Sequence, residues 1–111
     1  MLLEAEDIGA IRVVHVLAER IDAAATIEFK DAMRAVTAGA PGRILLNLGQ
    51  VGFVDSSGLG AIVAVMKHLE AGQELELVRL NPTVDTVFRL TRMDTIFRIH
   101  DTLDAGIAED A

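Results

Sequence analysis

Residues 43–63 read RILLNLGQVGFVDSSGLGAIV, and the change of character along this stretch decides the fold. Its opening, RILLNL, is nearly continuous in apolar content, the pattern of a central strand covered on both faces. Its close is polar and then helical. Asp55 precedes Ser56 and Ser57, Gly58 and Gly60 follow, and Leu59, Ile62, Val63, Met66 and Leu69 recur at helical spacing until Gly72. A strand that hands over to a helix through such a turn is the repeating unit of layered α/β folds.

Upstream, residues 11–18 (IRVVHVLA) are rich in β-branched side chains and predict a strand. The preceding LLEAE predicts its hairpin partner, with DIGA as the turn and Gly9 supplying backbone freedom. From Asp22 the period changes: Ala25, Phe29, Ala32, Met33 and Val36 mark one buried helix stripe. Asp22 is its expected N-cap, and Gly39, Pro41 and Gly42 its stop. Downstream, ELELV alternates as a strand does. PTVDTVFRL predicts a helix with Asn81 as cap and Pro82 at the first position, where a missing N–H does no harm. IFRI predicts a short strand and DTLDAGIAED a weaker last helix capped by Asp101. The expected class is α/β, with a sheet largely parallel beyond the opening hairpin.

A length of 111 residues suits a single domain, 1–111, and a hydrophobic content of 51% supplies its core without staples. With no cysteine there is no disulfide framework, thiolate metal site or cysteine nucleophile. The net charge of −7, from 17 acids and 10 bases, disfavours phosphate backbones and anionic lipid, so neither direct nucleic-acid nor membrane binding is expected. Arg79, Arg89, Arg92 and Arg98 cluster late in the chain, but Asp85 and Asp94 interleave with them and predict a mixed, solvated surface. The start, MLLEAEDIG, lacks the features of a signal peptide, and the apolar run LGAIVAVM falls far short of the ~20 residues that span a bilayer. A soluble, cytoplasmic protein is expected.

At the junction, Ser56 or Ser57 can cap the second helix, whose first-turn amides carry the positive end of its dipole. A cap leaves the glycines unexplained, since each costs about 1 kcal/mol against alanine inside a helix. Without side chains they leave a flat rim over which another molecule can approach Ser56. Catalytic readings find little support. The G-x-S-x-G elbow needs glycine where Val54 stands; His15, His68 and His100 are not evidently aimed here; no lysine between Asp31 and Met66 serves a P-loop. GLGAIV lacks the third glycine of a dinucleotide fingerprint, and the acids show no metal-ligand spacing, so no cofactor or metal is expected. Modification remains. A phosphoryl group on Ser56 adds about −1.5 to −2 charges, which a helix N-terminus tolerates and a partner fitted to neutral serine beside Asp55 does not.

VDSSGLGAIV resembles the signature of the STAS domain as found in bacterial anti-sigma factor antagonists. The likeness extends to LAERIDAAA before the first long helix, to RILLNLGQVGFVDSSGLG and to LTRMDTIFRI. The resemblance implies a single layer of helices on a mixed, mostly parallel sheet with an N-terminal hairpin. It implies a non-enzymatic partner switch. The unmodified protein binds an anti-sigma factor that is also an ATP-using serine kinase, phosphorylation releases it, and a metal-dependent serine phosphatase resets it. By position Ser56 is the phosphorylated residue. Ser57, Gly58, Leu59 and Gly60 form the adjoining contact surface, Leu59 as an exposed apolar group; Asp55 positions the hydroxyl or its neighbours. Asp22 is a second contact, a helix cap, or both.

Ala18 stands where many relatives have glycine, and the charged pair Glu19–Arg20 beside it bears on which kinase is recognised. Other roles stay open at this level: a STAS module with another sensing or scaffolding task, nucleotide-responsive or regulating secretion or signalling; a small enzyme with Ser56 as nucleophile; a structural subunit whose serines only cap a helix.

Overall fold

The computed structural model describes residues 1–109. Gly9, at φ +61°, turns the chain so that β1 (Leu3–Ile8) and β2 (Ile11–Val16) pair antiparallel, with Ile8 opposite Ile11. After β2 come a two-residue strand, β3 (Arg20–Ile21), a 3-10 turn at Ala23–Ala25, and α1 (Thr26–Thr37). Then follow β4 (Arg43–Asn47), β5 (Phe53–Val54), α2 (Ser56–Lys67), β6 (Glu74–Val78), α3 (Pro82–Leu90), β7 (Ile99–His100) and α4 (Leu103–Ala108). The main sheet has the order β1-β2-β4-β6-β7, parallel from β2 onward, so β4 is central as its apolar run requires. The segments β3 and β5 pair in parallel as a separate ribbon.

Strand alternation sends Val14, Val16, Ile44, Leu46, Leu75 and Leu77 to one face, where they pack with Phe29 and Met33 of α1, Ile62 and Val65 of α2, and Val84 and Phe88 of α3. The opposite face carries Ile11, Val13, Leu45 and Val78, which would stand in water unless covered, and Leu103 and Ile107 of α4 cover them. The expected single helical layer therefore holds for α1–α3, while α4 lies on the other side. The α1 stripe buries Phe29 and Met33 as expected. In α2 the buried line is Gly58, Ala61, Ile62 and Val65, with Leu59, Val63 and Met66 only half-buried along its edge; Leu69 of the expected stripe lies just beyond the helix end, also half-buried.

Two polar side chains, one of them the expected Asn81 cap, find partners that lie far off in sequence. Asn81 stands at the α3 cap position, yet its amide donates to the Gly49 and Val51 carbonyls, at 3.2 and 2.7 Å, and ties down the loop before β5. Glu76, placed by alternation on the outer face of ELELV, is only 2% exposed. Arg43 donates to both its oxygens, at 2.9 and 2.7 Å, and His100 Nε2 lies 2.7 Å from one of them. Arg43 also reaches the Gly106 and Glu109 carbonyls, fastening α4. That helix is capped by Thr102, whose Oγ1 accepts from the Ala105 amide, rather than by Asp101. The strand expected over IFRI shrinks to Ile99–His100 because Phe97 turns inward, edge-on to Phe88.

Candidate functional site

The ribbon builds the site. Its register sets Arg20 opposite Phe53 and Ile21 opposite Val54, and the Gly52 amide donates to the Glu19 carbonyl at 2.8 Å. The chain leaving β2 and the chain leaving β4 are thereby brought side by side, and the residues that follow each, Asp22 and Asp55, meet at one corner.

Asp55 is the N-cap of α2. One carboxylate oxygen accepts from the Gly58 amide at 2.8 Å, and the other from the Ala23 amide at 3.1 Å, across 32 residues of sequence. A single side chain closes the first turn of α2 and the 3-10 turn that leads into α1. The Gly58 bond holds the Asp55 carboxyl below the usual carboxylate value; partial burial opposes this, and the Ala23 and Ser57 amides and the Arg20 charge reinforce it. Neither serine caps the helix. Ser56 is its first residue, Ser57 its second, both are exposed, and neither hydroxyl has a hydrogen-bond partner among the described residues. Asp22 makes no capping bond either, because its carboxylate is turned toward Arg20, whose Nε donates to it at 3.2 Å. The Arg20 guanidinium stands 4.2 Å above the centre of the Phe53 ring.

The two glycines separate. Gly60 is exposed with nothing within 4 Å of a would-be β-carbon, so the flat rim is real there. Gly58 is buried, and a β-carbon on it would stand 1.9 Å from the Ile21 carbonyl oxygen. Its glycine lets α2 seat against the ribbon, which removes Gly58 from the accessible contact surface. Leu59 is half-buried against the core rather than an exposed apolar group. The histidines are engaged away from the serines: His15 with Asn47, His68 with the Ala64 carbonyl, His100 with Glu76. Among the described residues no group of three or more His, Asp or Glu side chains is arranged to hold a metal, and no helix is long and apolar enough to cross a membrane.

The ribbon, the double cap by Asp55 and the Arg20–Phe53 stack were not foreseen. Two-residue strands are too short to show alternation, and a carboxylate's distant amide leaves no local mark. The charged Glu19–Arg20 pair was the one available signal.

A family model described as the STAS domain matches residues 3–106. The chain belongs to the STAS domain family. A Thermotoga neapolitana protein named as an anti-sigma factor antagonist, the TM1081 homologue, is 37% identical over 68 residues, which cover 60% of this chain and 60% of that protein's length. The crystal structure of an anti-sigma factor antagonist from Mycobacterium paratuberculosis superposes with a TM-score of 0.82 at 28% identity, over 93% of this chain and 87% of that one. The anti-sigma factor antagonist SpoIIAA in its unphosphorylated form gives 0.72 at 25% identity over 96% of this STAS domain and 93% of its own chain. The phosphorylated form of SpoIIAA, from Bacillus, shares the fold, with a TM-score of 0.66 at 23% identity over 96% of each chain.

Proposed function

We propose that this STAS domain is an anti-sigma factor antagonist switched by phosphorylation of Ser56. One observation carries the reading. Ser56 occupies the first position of α2, exposed and unbonded, while the structural work of capping falls to Asp55. Its hydroxyl is free to change chemistry without undoing the helix. The names of the relatives, and the existence of SpoIIAA in two phosphorylation states, support the same reading.

In the unmodified state the partner, an anti-sigma factor that is also a serine kinase, docks over Ser56, Ser57 and the open rim at Gly60, with Asp22 and Asp55 at the margin. The kinase transfers the γ-phosphoryl group of ATP: the bond from Ser56 Oγ to phosphorus forms, the β–γ anhydride bond breaks, ADP leaves, and the hydroxyl proton passes to a base of the kinase. A dense anion then lies beside Asp55, and the interface is lost by charge repulsion and bulk. A metal-dependent phosphatase returns the serine and inorganic phosphate by hydrolysis.

The test is calorimetric titration of the wild type, Ser56→Ala and Ser56→Asp against the ATP-binding anti-sigma factor that the unmodified protein captures. Ser56→Ala keeps the affinity, because a methyl-sized side chain still fits, and takes up no phosphate. Ser56→Asp weakens binding at least about tenfold, or ~1.4 kcal/mol. Equal affinity for wild type and Ser56→Asp overturns the proposal.

A further inference from the structure

A phosphoryl group on Ser56 meets a helix end at which the Asp55 carboxylate is already seated. The Gly58 amide donates to Asp55, and the Ser57 amide also acts on that carboxylate. The new anion therefore stands next to an existing negative charge and cannot rely on the α2 N-terminus alone. The cation of this corner is Arg20. Ribbon register fixes it opposite Phe53, three residues before Ser56, and the ring under its guanidinium holds it there. Its side chain is 59% exposed, and only Nε is used, on Asp22; the two terminal NH2 groups have no hydrogen-bond partner among the described residues.

We propose that Arg20 is the positioning residue of the switch, drawn off Asp22 and Phe53 by phosphoserine at position 56, whose oxygens its terminal NH2 groups take. The inference rests on Ser56 being the phosphorylated residue. An exposed Arg–Asp pair held through one nitrogen is weak, whereas a guanidinium fork on a phosphate dianion is short, bidentate and stronger. The exchange alters the docking surface at three places at once: the serine gains its anion, Asp22 is left as an unpaired carboxylate, and the Phe53 ring loses its cover. A partner fitted to the unmodified corner meets a different one even where it does not touch Ser56.

Phosphoserine installed at position 56 by genetic code expansion makes the test independent of any kinase or partner. Phosphorus NMR follows the second ionisation of the phosphate, ordinarily near pH ~6, in the wild type, Arg20→Gln and Arg20→Lys. The neighbouring cation lowers the wild-type midpoint by about 0.5 pH or more relative to Arg20→Gln. Arg20→Lys lies between, since it keeps the charge and loses the fork. The Arg20 side-chain Nε–H resonance shifts on phosphorylation of the wild type. Equal midpoints in wild type and Arg20→Gln, both folded by amide spectra, overturn the inference. That result leaves partner release by Ser56→Asp standing, and a failure of partner release leaves the midpoints meaningful.

Discussion

At Gly58 a β-carbon would stand 1.9 Å from the Ile21 carbonyl oxygen and 2.7 Å from its carbon. Ile21 cannot retreat, because it is paired with Val54 in the ribbon and fully buried. Alanine there gains about 1 kcal/mol in helix propensity, yet forced overpacking costs typically 1–3 kcal/mol, and a clash with backbone sits at the upper end. Gly58→Ala is therefore expected to destabilise the domain by about 2 kcal/mol net, read as a lower urea midpoint at unchanged slope. Gly60→Ala makes the opposite case. Space is open, the residue is helical, and stability should rise by about 0.5 kcal/mol. The sequence announced that these glycines break the helix rule together. It had no way to say that one serves packing and the other leaves the rim open, because the atom that separates them, the Ile21 oxygen, is 37 residues away in the chain.

For whole elements, the signals that proved readable were those carried by apolar periodicity. The hairpin, α1, the central β4 and the body of α2 all follow from where Val, Ile, Leu and Phe recur. What stayed hidden was the choice of polar partner: Asn81 spends its amide on the distant Gly49 and Val51 carbonyls, Asp22 turns to Arg20 two residues back, and Thr102 caps α4 in place of Asp101, so none of the three expected caps does so. α4 is the extreme instance. Six residues make a helix too short to persist alone, and it is held by Leu103 and Ile107 together with the Arg43 bonds to its last carbonyls. Arg43 is in turn oriented by the buried Glu76. Glu76→Gln keeps the shape but leaves the Arg43 charge without its counter-ion, a change that costs about 3 kcal/mol for a buried pair. Amide exchange should accelerate first in α4 and β7 and later in α2. Equal loss of protection in α2 and α4 would refute this anchoring role.

Over the molecule as a whole, two effects of acid oppose each other. Lowering the pH from neutrality to the isoelectric point near 4.8 reduces the net charge from −7 to zero and relieves self-repulsion, which favours the folded state; below it the chain turns positive and repulsion returns. It also protonates the carboxylates that the fold uses. Asp55 is held below the usual carboxylate value chiefly by the Gly58 amide. For Glu76 burial pushes upward, but the bonds from Arg43 and His100 outweigh it and leave the carboxyl lowered. A carboxyl lowered in the folded state contributes stability that is complete above its ordinary value and is lost as the pH falls through that value toward the lowered one. The repulsion between dispersed surface charges is screened beyond a Debye length of about 8 Å at physiological salt, whereas the Asp55 and Glu76 bonds are direct contacts and are not. The two effects therefore offset each other only down to the isoelectric point; below about pH 4 the returning repulsion and the loss of the bonds act together, and stability should decline. Asp55→Asn separates the two effects. The variant lacks a titrating group at the double cap, so it starts lower at pH 7 and falls less steeply between pH 5 and pH 3 than the wild type. Parallel urea-midpoint curves for the two proteins would mean that Asp55 is not what couples protons to folding at the junction of α1 and α2.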